Sequence, residues 1–270
     1  MIFYKHKRFS FGKNWRSFIE TLNDDRIIEA EKSLKSMLNL ESLENKSFLD
    51  VGSGSGLFSL AAVRLGAKKI YSFDYDQDSV FCTKELKRQF FPEHHNWVIE
   101  SGSVLDKSYL NNIGEFDIVY SWGVLHHTGA MWEALENVSF LVKENGQLFI
   151  AIYNDQGVIS NMWTHIKKIY NQLPKSLRLF YVVLIWTPFE ILPTLKQIVT
   201  GHLPWYHWAT YKKSRGMSRL HDIIDWIGGY PFEVATPEAI FIFYRDKNFF
   251  LEKMKTRQGI GCNEFVFRKR

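Results

Sequence analysis

Three sets of residues in this chain have the types and spacing to do chemistry. The first lies in residues 48–60, FLDVGSGSGLFSL, where Gly52, Gly54 and Gly56 alternate with serines directly after an apolar run. A backbone this bare lets a ligand or another segment come close, and a strand running through glycines into a helix is a general nucleotide-binding turn. A phosphate loop needs a lysine after its last glycine, and none follows Gly56. The dinucleotide fingerprint needs a third glycine where Leu57 stands. What is present is an acid, Asp50, two residues before the first glycine. A carboxylate beside a helix N-terminus opposes a pyrophosphate and suits a ligand with a positive charge. Asp74, 20 residues beyond Gly54, closes the next predicted strand and can accept hydrogen bonds from both hydroxyls of a ribose. The site reads as one for a ribose, a flat base and a cationic amino-acid tail, without phosphate.

The second set is Ser121-Trp122-Gly123-Val124-Leu125-His126-His127, at the end of another predicted strand. A histidine suits deprotonation of a hydroxyl because its unperturbed pKa is about 6.5. His127 is favoured over His126 for that role; the competing reading is that either ring packs the loop. The third set is SRGMSRLHDIIDWIGGYPFE (214–233), which gathers Arg215, Arg219, His221, Asp222, Asp225, Trp226 and Tyr230. His221, Asp222 and Asp225 fall on or near one helix face. They make either a general-base dyad or a salt-bridge patch, and the arginines could hold a phosphate or carboxylate.

The elements that must position these residues follow from periodicity. Apolar residues predict a helix over 16–40, strands at 48–51, 69–73, 97–99, 116–120 and 147–153, and helices at 57–65, 79–90 and 131–141. Strands alternating with helices at this spacing imply a parallel sheet covered on both faces. After Asn154 the alternation stops, and residues 155–215 show only helical periodicity, with four of the seven prolines. A helix over 237–247 and a hairpin of strands 249–255 and 264–268 close the chain. Expected domains are an N-terminal helical cap (1–44), a cofactor-binding core (45–154), a helical insertion or lid (155–235) and a final helix and hairpin (236–270). The expected fold is α/β: a Rossmann-like, seven-stranded, mostly parallel sheet with an antiparallel final hairpin and a helical insertion after strand 5.

The 270 residues carry a net charge of +5, with 46% hydrophobic and 16% aromatic residues, which excludes a disordered chain. Basic runs at 5–8, 212–215 and 268–270 read as solvated surface, and Lys167-Lys168 as part of a helix face. Two distant cysteines, Cys82 and Cys262, and no Cys/His cluster indicate neither a disulfide framework nor a metal site. The start lacks the apolar core of a signal peptide, so a cytoplasmic location is expected. The run LFYVVLIW (179–186) is apolar on all sides yet shorter than the roughly 20 residues a bilayer crossing needs. It is read as a buried or lid helix, with a dimer contact or weak membrane-surface contact as the alternatives.

LDVGSGSG (49–56), YSFDYD (71–76), FDIVYSWGVLHH (116–127) and LVKENGQLFIAIYN (141–154) together resemble the class I S-adenosylmethionine-dependent methyltransferases, in order and spacing. The resemblance covers residues 45–155 and the final helix and hairpin. It is similar to small-molecule O-methyltransferases, including those of quinone biosynthesis. It implies S-adenosyl-L-methionine as cofactor and S-adenosyl-L-homocysteine as product. By similarity Gly52, Ser53 and Gly54 border the methionine part and Asp74 holds the ribose. Asp50, Gly56, Tyr75, Ser103, Val104 and Ser121 complete the expected cofactor contacts. SGSV (101–104) departs from the family, which often has an acid for the adenine amino group where this chain has Ser103. Trp15, in FSFGKNWRSF, is read either as an aromatic lid on the sulfonium or as ordinary packing of a terminal helix. His126, His127, His221 and Asp222 are the candidate bases; Trp122, Tyr153, Arg215, Arg219 and Asp225 are candidate acceptor contacts, and Asn263 is read as either a site or a hairpin-turn residue.

The expected function is methyl transfer by in-line displacement to a small or medium acceptor. A hydroxyl oxygen on a sugar, a quinol-like aromatic or a lipid-linked intermediate is favoured. Two alternatives stay open: methylation of RNA such as tRNA, which the basic balance allows but the scattered basic runs disfavour, and a cofactor-binding scaffold without catalysis.

Overall fold

The computed structural model describes residues 9, 11–19, 22–199 and 219–270, with the backbone alone at 13–14, 17, 192–193, 195–199 and 219–222. Contacts divide the chain into two units, Ser10–Ser160 with Phe232–Arg270, and Met1–Phe9 with Asn161–Pro231.

The first unit is built on seven strands: β1 (Ser47–Val51), β2 (Lys69–Asp74), β3 (Trp97–Ser101), β4 (Phe116–Trp122), β5 (Val142–Tyr153), β6 (Phe249–Lys255) and β7 (Cys262–Lys269). Their order across the sheet is β3-β2-β1-β4-β5-β7-β6. The first five pair in parallel, while β7 is antiparallel to both β5 and β6. This is the expected sheet. The central strands are apolar runs because helices cover both faces.

One face packs against α2 (Asp24–Leu38), α3 (Leu57–Arg64) and α4 (Gln77–Phe90), through Ile27, Leu34, Leu60 and Leu86 around Phe48 and Phe149. The other packs against α5 (Lys107–Ile113), α6 (Met131–Phe140) and α10 (Pro237–Arg245), through Leu110, Leu135 and Tyr244 around Val119 and Phe267.

Several boundaries differ from the periodicity reading. The helix expected over 16–40 is two, α1 (Gly12–Ile19) and α2, because the Asn23 side chain accepts the Arg26 N–H at 3.2 Å and caps a new start. Helix α5 was not expected; Asp106 caps it by accepting the Tyr109 N–H. Strand β5 begins at Val142, five residues earlier than its apolar run, with Asn145 at φ 62°.

The second unit contains most of α7 (Val158–Gln172), then α8 (Lys175–Val199) and α9 (Arg219–Gly228). Trp163 lies 5.4 Å from Trp226 and 5.7 Å from Phe189, ring to ring. The run Lys167-Lys168 splits: Lys168 is exposed, but Lys167 is fully buried. Its ammonium lies 4.2 Å from the Trp226 ring and donates to the Trp226 carbonyl, and burial pulls its pKa down to about 7.

Candidate active site

The glycine turn leaves β1 with positive φ at Gly52 (78°), Gly54 (55°) and Gly56 (82°), a conformation side chains resist. Each glycine also faces a close neighbour. A Cβ at Gly52 would sit 2.4 Å from Val124, one at Gly54 3.2 Å from the Trp15 indole, and one at Gly56 2.9 Å from the Thr83 backbone. The turn is thus wedged between the β4 loop, helix α1 and helix α4. Gly52 and Ser53 N–H groups both donate to the Phe73 carbonyl, and the Ser53 hydroxyl pairs with that of Thr83 at 2.9 Å.

Asp74 stands at the tip of β2, half-buried. Its carboxylate accepts the Gly54 N–H at 2.9 Å and the Asp76 N–H at 2.8 Å. Desolvation outweighs these donors and pushes its pKa up to about 6. The Tyr75 N–H also bonds the carboxylate, and three donors on four lone pairs leave room for a ligand hydroxyl.

Asp50 points elsewhere. It is 2% exposed, accepts the Ser59 hydroxyl at 2.5 Å, and heads a chain that runs through Ser72 to the Trp97 indole N–H. Burial raises its pKa to about 7. Its place is beneath the turn, joining β1, α3 and β2.

Helix α1 brings Trp15 to the turn through a latch that sequence reading missed. The Gly12 N–H donates to Asp76, the N-cap of α4, at 3.1 Å. Arg16 pairs with Asp78 at 2.7 Å and lies over the Phe81 ring. A Cβ on Gly12 would meet Asp78 at 2.4 Å, so this approach requires glycine. The paired signals were FGKNW and DYDQD, legible singly but not as partners.

In the SGSV turn after β3, the Ser103 hydroxyl accepts the Leu105 N–H, and Val104 is buried, its carbonyl taken by Asn137. Tyr75 is 66% exposed just past Asp74.

The ends of β4 and β5 carry an aromatic cluster. Ser121 is buried and its hydroxyl donates to the Val51 carbonyl, tying β4 to β1, whereas Trp122 is exposed. His126 is fully buried; its Nδ1 accepts the Tyr153 N–H at 3.3 Å, so the ring proton sits on Nε2. His127 is half-buried, 5.0 Å from the Phe11 ring and 5.5 Å from Tyr153. Tyr153 in turn lies 5.0 Å from Phe232. Glu233 locks this loop: its N–H donates to the His126 carbonyl and its carboxylate accepts the Met131 N–H at 3.0 and 3.2 Å, capping α6 from across the chain.

Arg215 lies outside the described residues, as do the side chains of Arg219, His221 and Asp222 in the first turn of α9. Asp225 is half-buried in α9 and acts electrostatically on Lys167. Asn263 holds the β6–β7 hairpin, accepting the Arg257 N–H and donating to Asn154. Burial pushes the Cys82 and Cys262 thiols up to about 11 and about 12, away from nucleophilic thiolates. Among the described residues no group of three His, Cys, Asp or Glu could hold a metal.

A bare turn, a carboxylate at the tip of β2 with room for ligand hydroxyls and an indole over the turn fit a cationic nucleoside such as S-adenosylmethionine. The comparisons agree. The family described as "Methyltransferase domain" matches residues 16–190, more than half of the chain. A ribosomal protein L11 methyltransferase of Prochlorococcus marinus (strain AS9601) is 29% identical over 156 residues, 53% of this chain and 50% of that protein. The chain thus spans about half the length of that curated relative. Among solved structures, an O-methyltransferase family protein from Burkholderia thailandensis has a TM-score of 0.54 at 11% identity, covering 93% of this chain and 59% of that one. Magnesium protoporphyrin IX methyltransferase from Synechocystis PCC 6803, with bound S-adenosylhomocysteine, gives 0.52 at 13%, covering 96% and 86%. At these identities the solved structures speak for the fold alone. The family match, the sheet order and the glycine turn lead to one conclusion: this chain belongs to the class I S-adenosylmethionine-dependent methyltransferases.

Proposed function

We propose that the methyl acceptor is a small or medium molecule bearing a hydroxyl, and that His127 takes the hydroxyl proton. The observation carrying this reading is the division of labour between the two histidines. His126 spends Nδ1 on the Tyr153 N–H and keeps its proton on Nε2, so it orients the loop. His127 stands half-buried among Phe11, Tyr153 and His126, within the cluster at the end of β4, and an imidazole nitrogen suits removal of a hydroxyl proton.

Bound S-adenosylmethionine supplies an electrophilic methyl on a positively charged sulfur. The chain's own residues do the rest. Asp74 accepts the ribose hydroxyls, and the Gly52–Gly56 backbone borders the amino-acid tail. Trp15 offers an aromatic face to the positive charge. Phe11, Tyr153 and Phe232 exclude water beside His127. Acceptor roles for Trp122, Arg215, Arg219, His221, Asp222 and Asp225 belong to the same proposal and rest on sequence.

The test is transfer of labelled methyl from S-adenosylmethionine to parallel pools of glycans, quinols, lipid-linked saccharides, tRNA and ribosomal proteins. Label in an ether of a hydroxyl compound supports the reading. The activity should fall at least roughly a hundredfold in His127→Ala. Label confined to RNA or to a ribosomal protein, the acceptor named for the Prochlorococcus relative, refutes it. Tight cofactor binding with no labelled product in any pool would favour the non-catalytic scaffold.

A further inference from the structure

Helix α8 turns one side toward its own unit and leaves the other bare. On the inner side Val182 is buried, and the Tyr181 hydroxyl donates to the Ile166 carbonyl at 3.2 Å. On the outer side Leu177, Phe180, Leu184 and Ile191 follow at helical spacing, widened by Leu179 and Val183, and all six are 50–69% exposed. No charged residue interrupts the sequence between Arg178 and Glu190. Scattered exposed leucines need no explanation, but a continuous stripe of this kind marks a contact surface.

Charge says what covers it. The unit of Met1–Phe9 and Asn161–Pro231 carries 12 Lys and Arg against three Asp and Glu, a net of +9. The other unit carries 22 against 26, a net of −4. By sequence, the chain's positive surplus falls in the segments assigned to the unit that carries the stripe. Lys168 and Lys175, both exposed, lie on α7 and at the start of α8. A second copy pairing through this unit would bring two units of net +9 together. A nucleic acid would satisfy the charge but offer the Leu and Phe side chains no hydrocarbon. Among the described residues no helix is long and apolar enough to cross a membrane. An apolar stripe on a helix within a cationic unit suits the interface plane of a bilayer.

We propose that α8 seats this protein on an anionic phospholipid surface, with Leu177, Phe180, Leu184 and Ile191 entering the acyl boundary and Lys168 and Lys175 meeting the headgroups. This placement does not depend on which acceptor is methylated.

The test is flotation of the full chain with vesicles of phosphatidylcholine alone and of phosphatidylcholine with phosphatidylglycerol. Binding should require phosphatidylglycerol and weaken as salt rises. Phe180→Glu with Leu184→Glu should reduce partitioning by more than roughly tenfold. Lys168→Gln with Lys175→Gln should reduce it by roughly twenty-five-fold, since each surface lysine is worth roughly fivefold. Unchanged circular dichroism and cofactor affinity would show that the variants fold, and the lysine pair keeps the test open if the glutamates disturb the helix. Absence of vesicle binding overturns the proposal, as does binding that ignores phosphatidylglycerol and the lysines. So does a concentration-dependent dimer in light scattering that the Phe180/Leu184 variant dissolves, or salt-sensitive retention of RNA without retention of vesicles.

Discussion

Gly52→Ala should be far more damaging than Gly123→Ala, although the two backbones are nearly alike. Gly52 has φ 78° and Gly123 has φ 75°. Placing a Cβ on either costs about 1–2 kcal/mol, because a side chain crowds the following carbonyl in that region. The surroundings differ. A Cβ on Gly52 meets the two Val124 methyls at 2.4 and 2.6 Å, whereas nothing lies within 4 Å of one on Gly123. Forcing atoms into filled space adds about 1–3 kcal/mol. The expected totals are about 2–5 kcal/mol for Gly52→Ala and about 1–2 kcal/mol for Gly123→Ala. Val124→Ala in the Gly52→Ala background should return most of the excess and leave the φ cost in place. Urea unfolding of the four variants, followed by a probe in the sheet unit, gives the cycle. Val124 leads into the short 3-10 turn that carries His126 and His127, so Gly52→Ala should also lower transfer activity, with partial rescue by Val124→Ala. If the two glycine variants cost the same to within about 0.5 kcal/mol, or Val124→Ala fails to rescue, the wedge between turn and loop is not what holds this site.

Other outcomes follow from the same geometry. The Asp50 carboxyl is raised to about 7 by burial, so it binds a proton in the folded chain that the unfolded chain has lost. Its stabilisation is complete below pH of about 4 and is lost by about 1.4 kcal/mol per pH unit on rising toward 7. Asp50→Asn should flatten that slope in denaturation curves from acid to neutral pH; an unchanged slope would place the titration elsewhere. Glu233→Ala should cost about 1–2 kcal/mol in chemical denaturation through loss of the α6 cap, with Glu233→Gln milder because one carbonyl can still accept the Met131 N–H. Trp15→Ala should weaken S-adenosylmethionine binding in calorimetry by roughly 2- to 30-fold while sparing the product, whose sulfur carries no charge, because an aromatic face attracts the sulfonium and not the thioether. Equal losses for both ligands would mean that the indole serves as packing alone.

The alternation of apolar runs with helical periods was enough to find the sheet, because a parallel strand buried on both faces must be apolar and short. The glycine turn was equally legible, since no other residue tolerates three positive-φ positions beside such close neighbours. Helix α5 escaped because its seven residues, KSYLNNI, bury only Leu110 and Ile113, too few to show a period. The N-terminal break escaped because the apolar pattern runs on across Asn23, and only the cap reveals it.

Residue type and spacing alone determined the family and marked Asp74 and the histidine pair as candidates, because local backbone demands leave local marks. Which way a carboxylate faces, and which of two adjacent imidazoles is locked, depends on partners distant in the chain. Ser59 and Ser72 draw Asp50 beneath the turn, and the Tyr153 N–H claims His126. The latch from Gly12 and Arg16 to Asp76 and Asp78 joins segments more than 60 residues apart. Folding creates such pairs by bringing remote hydrogen-bond donors and acceptors together out of water, where an unmatched group is costly. Asp50 and Ser59 share one short stretch, but His126 and Tyr153 lie 27 residues apart and the latch pairs more than 60, so only the tertiary structure could decide those pairings.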